Sequence, residues 1–151
     1  MNKEKFPRGK RSVEEKRDEL RGEDLSGVWL SGADLKGADL QDAKLEGADL
    51  KNAYLRNAIL EGADLIDVDL KDAKLEGAEL KNAKLVNADL RGADMTGADM
   101  TGANLSHANM QNANLFRINL NGADLFRTNL KGVDMTGVDI SNAFLDKWAE
   151  N

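Results

Sequence analysis

The 151-residue sequence has no cysteine, one proline, one histidine and few aromatic residues, which make up 5% of the chain. Without thiols it has no disulfides, no thiolate metal ligands and no cysteine nucleophile. The scarcity of rings excludes a large aromatic core. No apolar run reaches eight residues, so neither a signal peptide nor a membrane span is expected. Residue 2 is asparagine and the C-terminus lacks cysteine, which argues against lipid attachment. A soluble, cytoplasmic protein is the expectation. The lone His107 has no serine and carboxylate placed with it in a recognisable catalytic order, so no enzymatic activity and no cofactor are expected. Calcium β-rolls need a Gly-rich nine-residue repeat, which is absent, and no metal site is expected either.

What the sequence does have is charge and a period. Charged residues are 32% of the chain and the formal net charge is −6. The positive charge gathers at the N-terminus, where Lys3, Lys5, Arg8, Lys10 and Arg11 face only Glu4. From Leu20 onward there are 22 acids and 14 bases, about −8 in net charge. Duplex phosphates demand Lys or Arg, so direct nucleic-acid binding by this acidic body is not expected.

The period is five. Every residue whose number is a multiple of five from Leu20 to Leu145 is Leu, Met or Ile. Alanine usually stands two positions before it, as in Ala33-Asp34-Leu35 and Ala38-Asp39-Leu40. On a helix such leucines would step by about 140° and spiral around the axis. On a straight strand an odd period would alternate them between faces. Both conflicts vanish if the chain turns a corner once per repeat. Alanine and leucine then point inward on a short extended segment, and the other three positions face outward or form the corner. The last position is mostly Gly or Asn (Gly32, Gly37, Gly47, Asn52, Asn57, Gly62), residues that accept tight-turn backbone angles. The recurring Asp before each leucine is explained by hydrogen bonds to turn amides.

Runs such as ADLKG, ADLQD, AKLEG, ANLSH and ADLFR resemble the A(D/N)Lxx signature of the pentapeptide repeat proteins. The resemblance covers about 25 consecutive repeats. It implies an all-β fold, a right-handed quadrilateral β-helix with four repeats per coil and about six coils. At about 4.8 Å between paired strands, the rod would be on the order of 30 Å long. It also suggests a bacterial origin.

Four segments are expected: a disordered basic arm over 1–11, an N-terminal capping helix over 12–22, the β-helix over 23–147, and a tail over 148–151. The helix start is placed at Ser12, because Ser12-Val13-Glu14-Glu15 fits a capping box, and its end at Gly22. The inward alanine is replaced by Val at 28, 68, 133 and 138, by Thr at 128 and by Ile at 118, where small bulges or shifts are expected. Phe144, Leu145 and Trp148 are expected to cover the last coil, or else to make a dimer contact at that end.

Period twenty sorts the outward residues into four faces. One is acidic: Asp39, Asp42, Glu61, Glu79, Asp99 and Asp139, opposed only by Lys81. The resemblance gives this face a meaning, because some pentapeptide repeat proteins imitate duplex DNA and inhibit or protect type II topoisomerases such as gyrase. Residues Met100–Phe116 carry no charge and would ring the rod with Asn, Thr, Ser and Gln. Phe116 and Phe126 place outward aromatics beyond that belt, on opposite faces. The leading expectation is a non-enzymatic scaffold or protein-interaction module with an unspecified protein partner and no membrane contact. The alternative is a DNA-mimic regulator of a topoisomerase.

Overall fold

A computed structural model describes residues 9–145. Between Leu20 and Leu145 the same local event repeats. In a typical repeat the Ala33 amide donates to the Leu30 carbonyl at 2.9 Å, closing a turn over Ser31 and Gly32. Only the third residue of the turn has positive φ (Gly32, 61°). That is the type II pattern, which favours Gly or Asn at this place. The chain then extends for one residue and turns again.

That one extended residue carries the pairing. The Tyr54 amide donates to the Ala33 carbonyl at 2.8 Å, and the Leu35 amide donates to the Tyr54 carbonyl at 2.8 Å. Asp34 is thereby bridged in parallel to Tyr54, and every described bridge joins a residue to the one twenty positions on. Four repeats of five residues therefore make one circuit, and four parallel ladders run along the rod. The sides are too short for any longer strand.

The interior follows from the same geometry. Every inward residue from Leu25 to Leu125 is buried, at 5% exposure or less. In the last coil Leu130, Val133 and Met135 are only partly buried, and Ile140 and Leu145 reach 38% and 40% exposure. At the other end, α1 (Lys10–Glu15) and a 3₁₀ turn (Arg17–Glu19) lie against the first coil. Lys10 Nζ donates to the Ser31 carbonyl at 2.7 Å, the Asp34 amide donates to Glu14 Oε1 at 2.8 Å, and the Asp39 amide donates to the Arg17 carbonyl at 3.3 Å. Amides that would otherwise be an open edge are satisfied there. Val13 and Leu20 are fully buried.

The boundaries of this segment differ from the expected ones. The helix starts at Lys10, two residues before Ser12, with Gly9 at the N-cap and no side-chain capping bond. Ser12 is instead 6% exposed beside Val13. Gly22 does not end a helix. With φ 67° and its amide 2.8 Å from the Gln41 carbonyl, it is the first corner of the coil. Residues 1–8 of the basic arm, and Trp148, lie outside the described residues.

The replaced alanines are tolerated unequally. Val28 and Val68 share a column with Ala48 and Ala88 between and above them. Both valines are buried and their rungs stay bridged, with turn bonds of 3.2 and 3.3 Å against 2.9–3.1 Å at the alanines. Ile118 and Val138 instead stand directly one above the other, and the Asp139 amide reaches the Ile118 carbonyl only at 3.4 Å. Above Ala113, Val133 adjoins the one rung missing among the described residues, since no bridge joins Asn114 to Asp134. Thr128 buries its hydroxyl with a partner, donating to the Leu105 carbonyl at 2.8 Å. The tolerated valines lie within the rod, whereas both disturbed rungs join the last coil to the one before it.

Candidate functional site

Because the interior is uniform, any site must be written in the ladders. The first face carries Asp24, Lys44, Asp64, Lys84, Asn104, Asp124 and Phe144, with charges alternating over its first four rungs. Lys84 reaches Asp64 at 3.4 Å. The second face stacks Asp49, Asp69 and Asp89, and the neighbouring column neutralises them: Lys51 Nζ lies 3.0 Å from Asp69, and Arg91 forks onto Asp89. The third carries Asp34, Tyr54, Lys74, Asp94 and Asn114, and the fourth Asp39, Ile59, Glu79, Asp99, Asn119 and Asp139.

The aspartates do a structural job first. In repeat after repeat Oδ1 accepts the amide two residues on, as at Asp39 with Gln41 (3.1 Å), Asp99 with Thr101 (3.0 Å) and Asp139 with Ser141 (2.9 Å). In the charge-free belt Asn104, Asn109 and Asn114, and just beyond it Asn119, make the same bond, at 3.0–3.2 Å. Asparagine thus keeps the turn while dropping the charge. Asn129 also donates to Asn109 Oδ1 at 3.1 Å, a rung of an amide ladder.

These bonds shift several carboxyls. The Arg91 side chain holds Asp89 below the usual carboxylate range. The Thr136 and Ser141 hydroxyls do the same for Asp134 and Asp139, and the Ser26 amide for Asp24. Burial pushes Asp99 up, but the Thr101 hydroxyl and amide and the Lys81 ammonium outweigh it, and the net direction is down. Groups with a lowered folded pKa stabilise the fold above the unfolded value, about 3.9 for Asp, and that contribution is lost as pH falls through the folded value. Thermal unfolding followed by circular dichroism should therefore show Tm steady near neutrality and dropping below about pH 4. Asp89→Asn should flatten that drop; an identical pH profile would contradict the assignment.

The acidic face is less uniform than its sequence suggests. Asp39, Glu61, Glu79 and Asp99 fall on consecutive coils, and Asp42 sits at the adjoining corner with φ 58°. Lys81 pairs with Asp99 at 3.4 Å. The uncharged rung Asn119 separates Asp139 from the others. The structure thus gathers Asp39, Asp42, Glu61 and Glu79 into one patch, with Asp99 partly neutralised at its edge. It does not bring Phe116 and Phe126 together; they project from the third and first faces.

Two groupings escaped the sequence reading, although period-twenty arithmetic contains both. On the third face Lys36, Arg56 and Lys74 surround Tyr54 in a shallow hollow of about 320 Å³ that Glu76 also lines; Lys36 Nζ lies 5.0 Å from the ring centre. On the first face Phe126 meets His107 edge-on at 5.6 Å and Phe144 at 6.4 Å, with the Arg127 guanidinium 5.2 Å from its ring centre. Among the described residues no group of three or more His, Asp or Glu could hold a metal ion, and no helix is long and apolar enough to cross a membrane.

The sequence model for pentapeptide repeats matches the chain with eight copies, over residues 19–57, 48–85, 73–112, 83–122 and 113–147. Among solved structures, a trypsin-treated, singly substituted form of QnrB1, a plasmid-mediated fluoroquinolone resistance protein, superposes with a TM-score of 0.54 at 22% identity, covering 88% of each chain. The pentapeptide repeat protein alr5209 from Nostoc PCC 7120 gives a TM-score of 0.53 at 33% identity, covering 60% of this chain and 76% of that one. No functionally curated protein matches the sequence. The neighbours imply the right-handed, four-sided β-helix for which the twenty-residue ladders are the local signature. The chain belongs to the pentapeptide repeat family.

Proposed function

We propose that this chain is a non-enzymatic, cytoplasmic interaction rod whose partner is a protein. The observation that carries this reading is the division of labour within each repeat. Ala and Leu are spent on the core, the aspartates and asparagines on turns, and what varies from coil to coil is exposed on four straight ladders. Two surface hollows are shallow, at about 320 and 330 Å³, and neither holds a shielded acid–base pair of the kind catalysis uses. Helix α1 serves this rod as its N-terminal cap. The last coil, where Phe144 is 62% exposed, is where a dimer contact would form.

Affinity capture from the native host, using the wild-type chain and face-reversed variants, tests the proposal. A stoichiometric protein partner lost on reversing one face and kept on reversing the others supports it. Equal capture by all variants sinks it.

The patch of Asp39, Asp42, Glu61 and Glu79 favours a second reading, in which a carboxylate surface replaces DNA phosphates on a topoisomerase. Its strength is electrostatic steering; its weakness is that the second and third faces carry as many bases as acids. A gyrase supercoiling assay separates the two. Inhibition or drug protection abolished by Asp39→Lys with Glu61→Lys favours mimicry, and no effect at micromolar protein rules it out.

A further inference from the structure

Twelve described residues other than glycine have positive φ, and nine of them are Asn or Asp. The three exceptions are His107 (61°), Arg117 (58°) and Arg127 (54°). All fall within little more than one coil. Histidine enters the left-handed region more readily than most residues, but an arginine held there is an outlier that costs stability, and elsewhere this chain makes the same corner with Asn, Asp or Gly. Two of the three stand on or beside the first-face aromatic cluster. Phe126 packs edge-on against His107, under the Arg127 guanidinium and beside the exposed Phe144.

The surroundings point the same way. Residues 100–116 carry no charge, and the centres of protein interfaces are depleted in Lys, Glu and Asp while enriched in aromatics and Arg. The acid nearest in sequence to Arg127, Asp124, is engaged by the Phe126 amide at 2.9 Å. Arg127 makes no ion pair with any described residue.

Resting on the interaction-rod reading above, we infer that His107, Phe126, Arg127 and Phe144 form its docking surface, and that the occupant is a protein segment presenting a carboxylate beside an apolar side chain. The carboxylate pairs with Arg127, whose guanidinium has two planar donors to offer. The apolar group covers Phe126 and Phe144. Phe116 and Arg117 repeat the pair half a coil away on the third face (5.0 Å), but the structure gives that ring no contact with another aromatic ring. They serve as the control.

Panning a random-peptide phage library on the full chain tests the surface. Selected peptides should combine Asp or Glu with an aromatic or aliphatic residue. Fluorescence anisotropy should show binding weakened about tenfold or more by Arg127→Asn and by Phe126→Ala, and changed less than about twofold by Arg117→Asn. Both Arg→Asn variants should keep or raise Tm, because Asn is the residue the chain uses at such corners. Loss of binding in Arg127→Asn is then not misfolding. Unchanged affinity in Arg127→Asn overturns the surface, as does selection of peptides without acids. Peptides lost instead with Glu61→Lys and Glu79→Lys would leave the interaction reading standing and remove this surface. Absence of any selected peptide would count against both.

Discussion

Replacing Leu80 by alanine should destabilise the protein by about 2–5 kcal/mol, the range for emptying a fully buried leucine site. Leu80 has no exposed surface. It fills the space left by small neighbours, with Ala78 in its own repeat and Leu60 and Met100 on the adjoining coils. Ala78 and its kin cannot collapse inward, because each alanine backbone is pinned by a turn bond and by the coil that follows it. The neighbouring position behaves oppositely. Lys81 is 44% exposed and pairs with Asp99 at 3.4 Å, so Lys81→Ala should cost no more than about 1 kcal/mol. Urea unfolding of the two variants measures both. Equal costs would refute the inward and outward assignment on which the faces depend.

The second large effect concerns the corners. Gly77 and Gly97 stand in one column with φ 67° and 66°, so alanine is strained at either, by about 1–2 kcal/mol. They differ in what lies one coil earlier. A Cβ on Gly77 would sit 2.6 Å from Asn57 Oδ1, whereas one on Gly97, which follows Gly77, would meet nothing within 4 Å. Gly77→Ala should therefore cost about 2–4 kcal/mol once the displaced Asn57 is included, and Gly97→Ala only the strain. In an Asn57→Gly background the gap between them should close. A gap that persists there would mean that corner columns do not communicate. The same relation holds for Gly62 over Asp42 and Gly102 over Asn82, each also at 2.6 Å.

The repeat was readable from the sequence because its causes are local. A leucine two residues after an alanine, and a Gly or Asn two residues after the leucine, state which side chains go in and where the chain bends. The role of the aspartates was equally legible, since the amide each one accepts is only two residues away. What the sequence hid depends on contacts twenty residues apart. Helix α1 begins at Lys10 because Lys10 and Glu14 bond to Ser31 and Asp34 of the first coil, which outweighs the local capping signal at Ser12. Val133 and the Ile118–Val138 pair disturb the last coil while Val28 and Val68 leave their rungs bridged, and position along the rod, not the repeat, distinguishes them. A sum of charges along the sequence is enough to mark the acidic face, but its break at Asn119 and the pairing of Asp99 with Lys81 are matters of position along the rod. His107, Phe126 and Phe144 looked like scattered surface residues until the coil set 107 beside 126 and 126 beside 144.

The central claim is that every outward residue has its neighbour twenty positions away, so that faces are columns. A chain without cysteine allows this to be tested directly. Asp64 and Lys84 occupy consecutive rungs of the first ladder with their tips 3.4 Å apart. Rungs spaced about 4.8 Å apart fall within the Cα separations that disulfides span. Asp64→Cys with Lys84→Cys should oxidise readily to an intramolecular disulfide in the folded protein, leaving no free thiol. Asp64→Cys with Glu79→Cys, closer in sequence but on the fourth face, should keep both thiols under the same conditions. Crosslinking of the second pair, or failure of the first, would contradict the four-ladder coil and every face assigned from it.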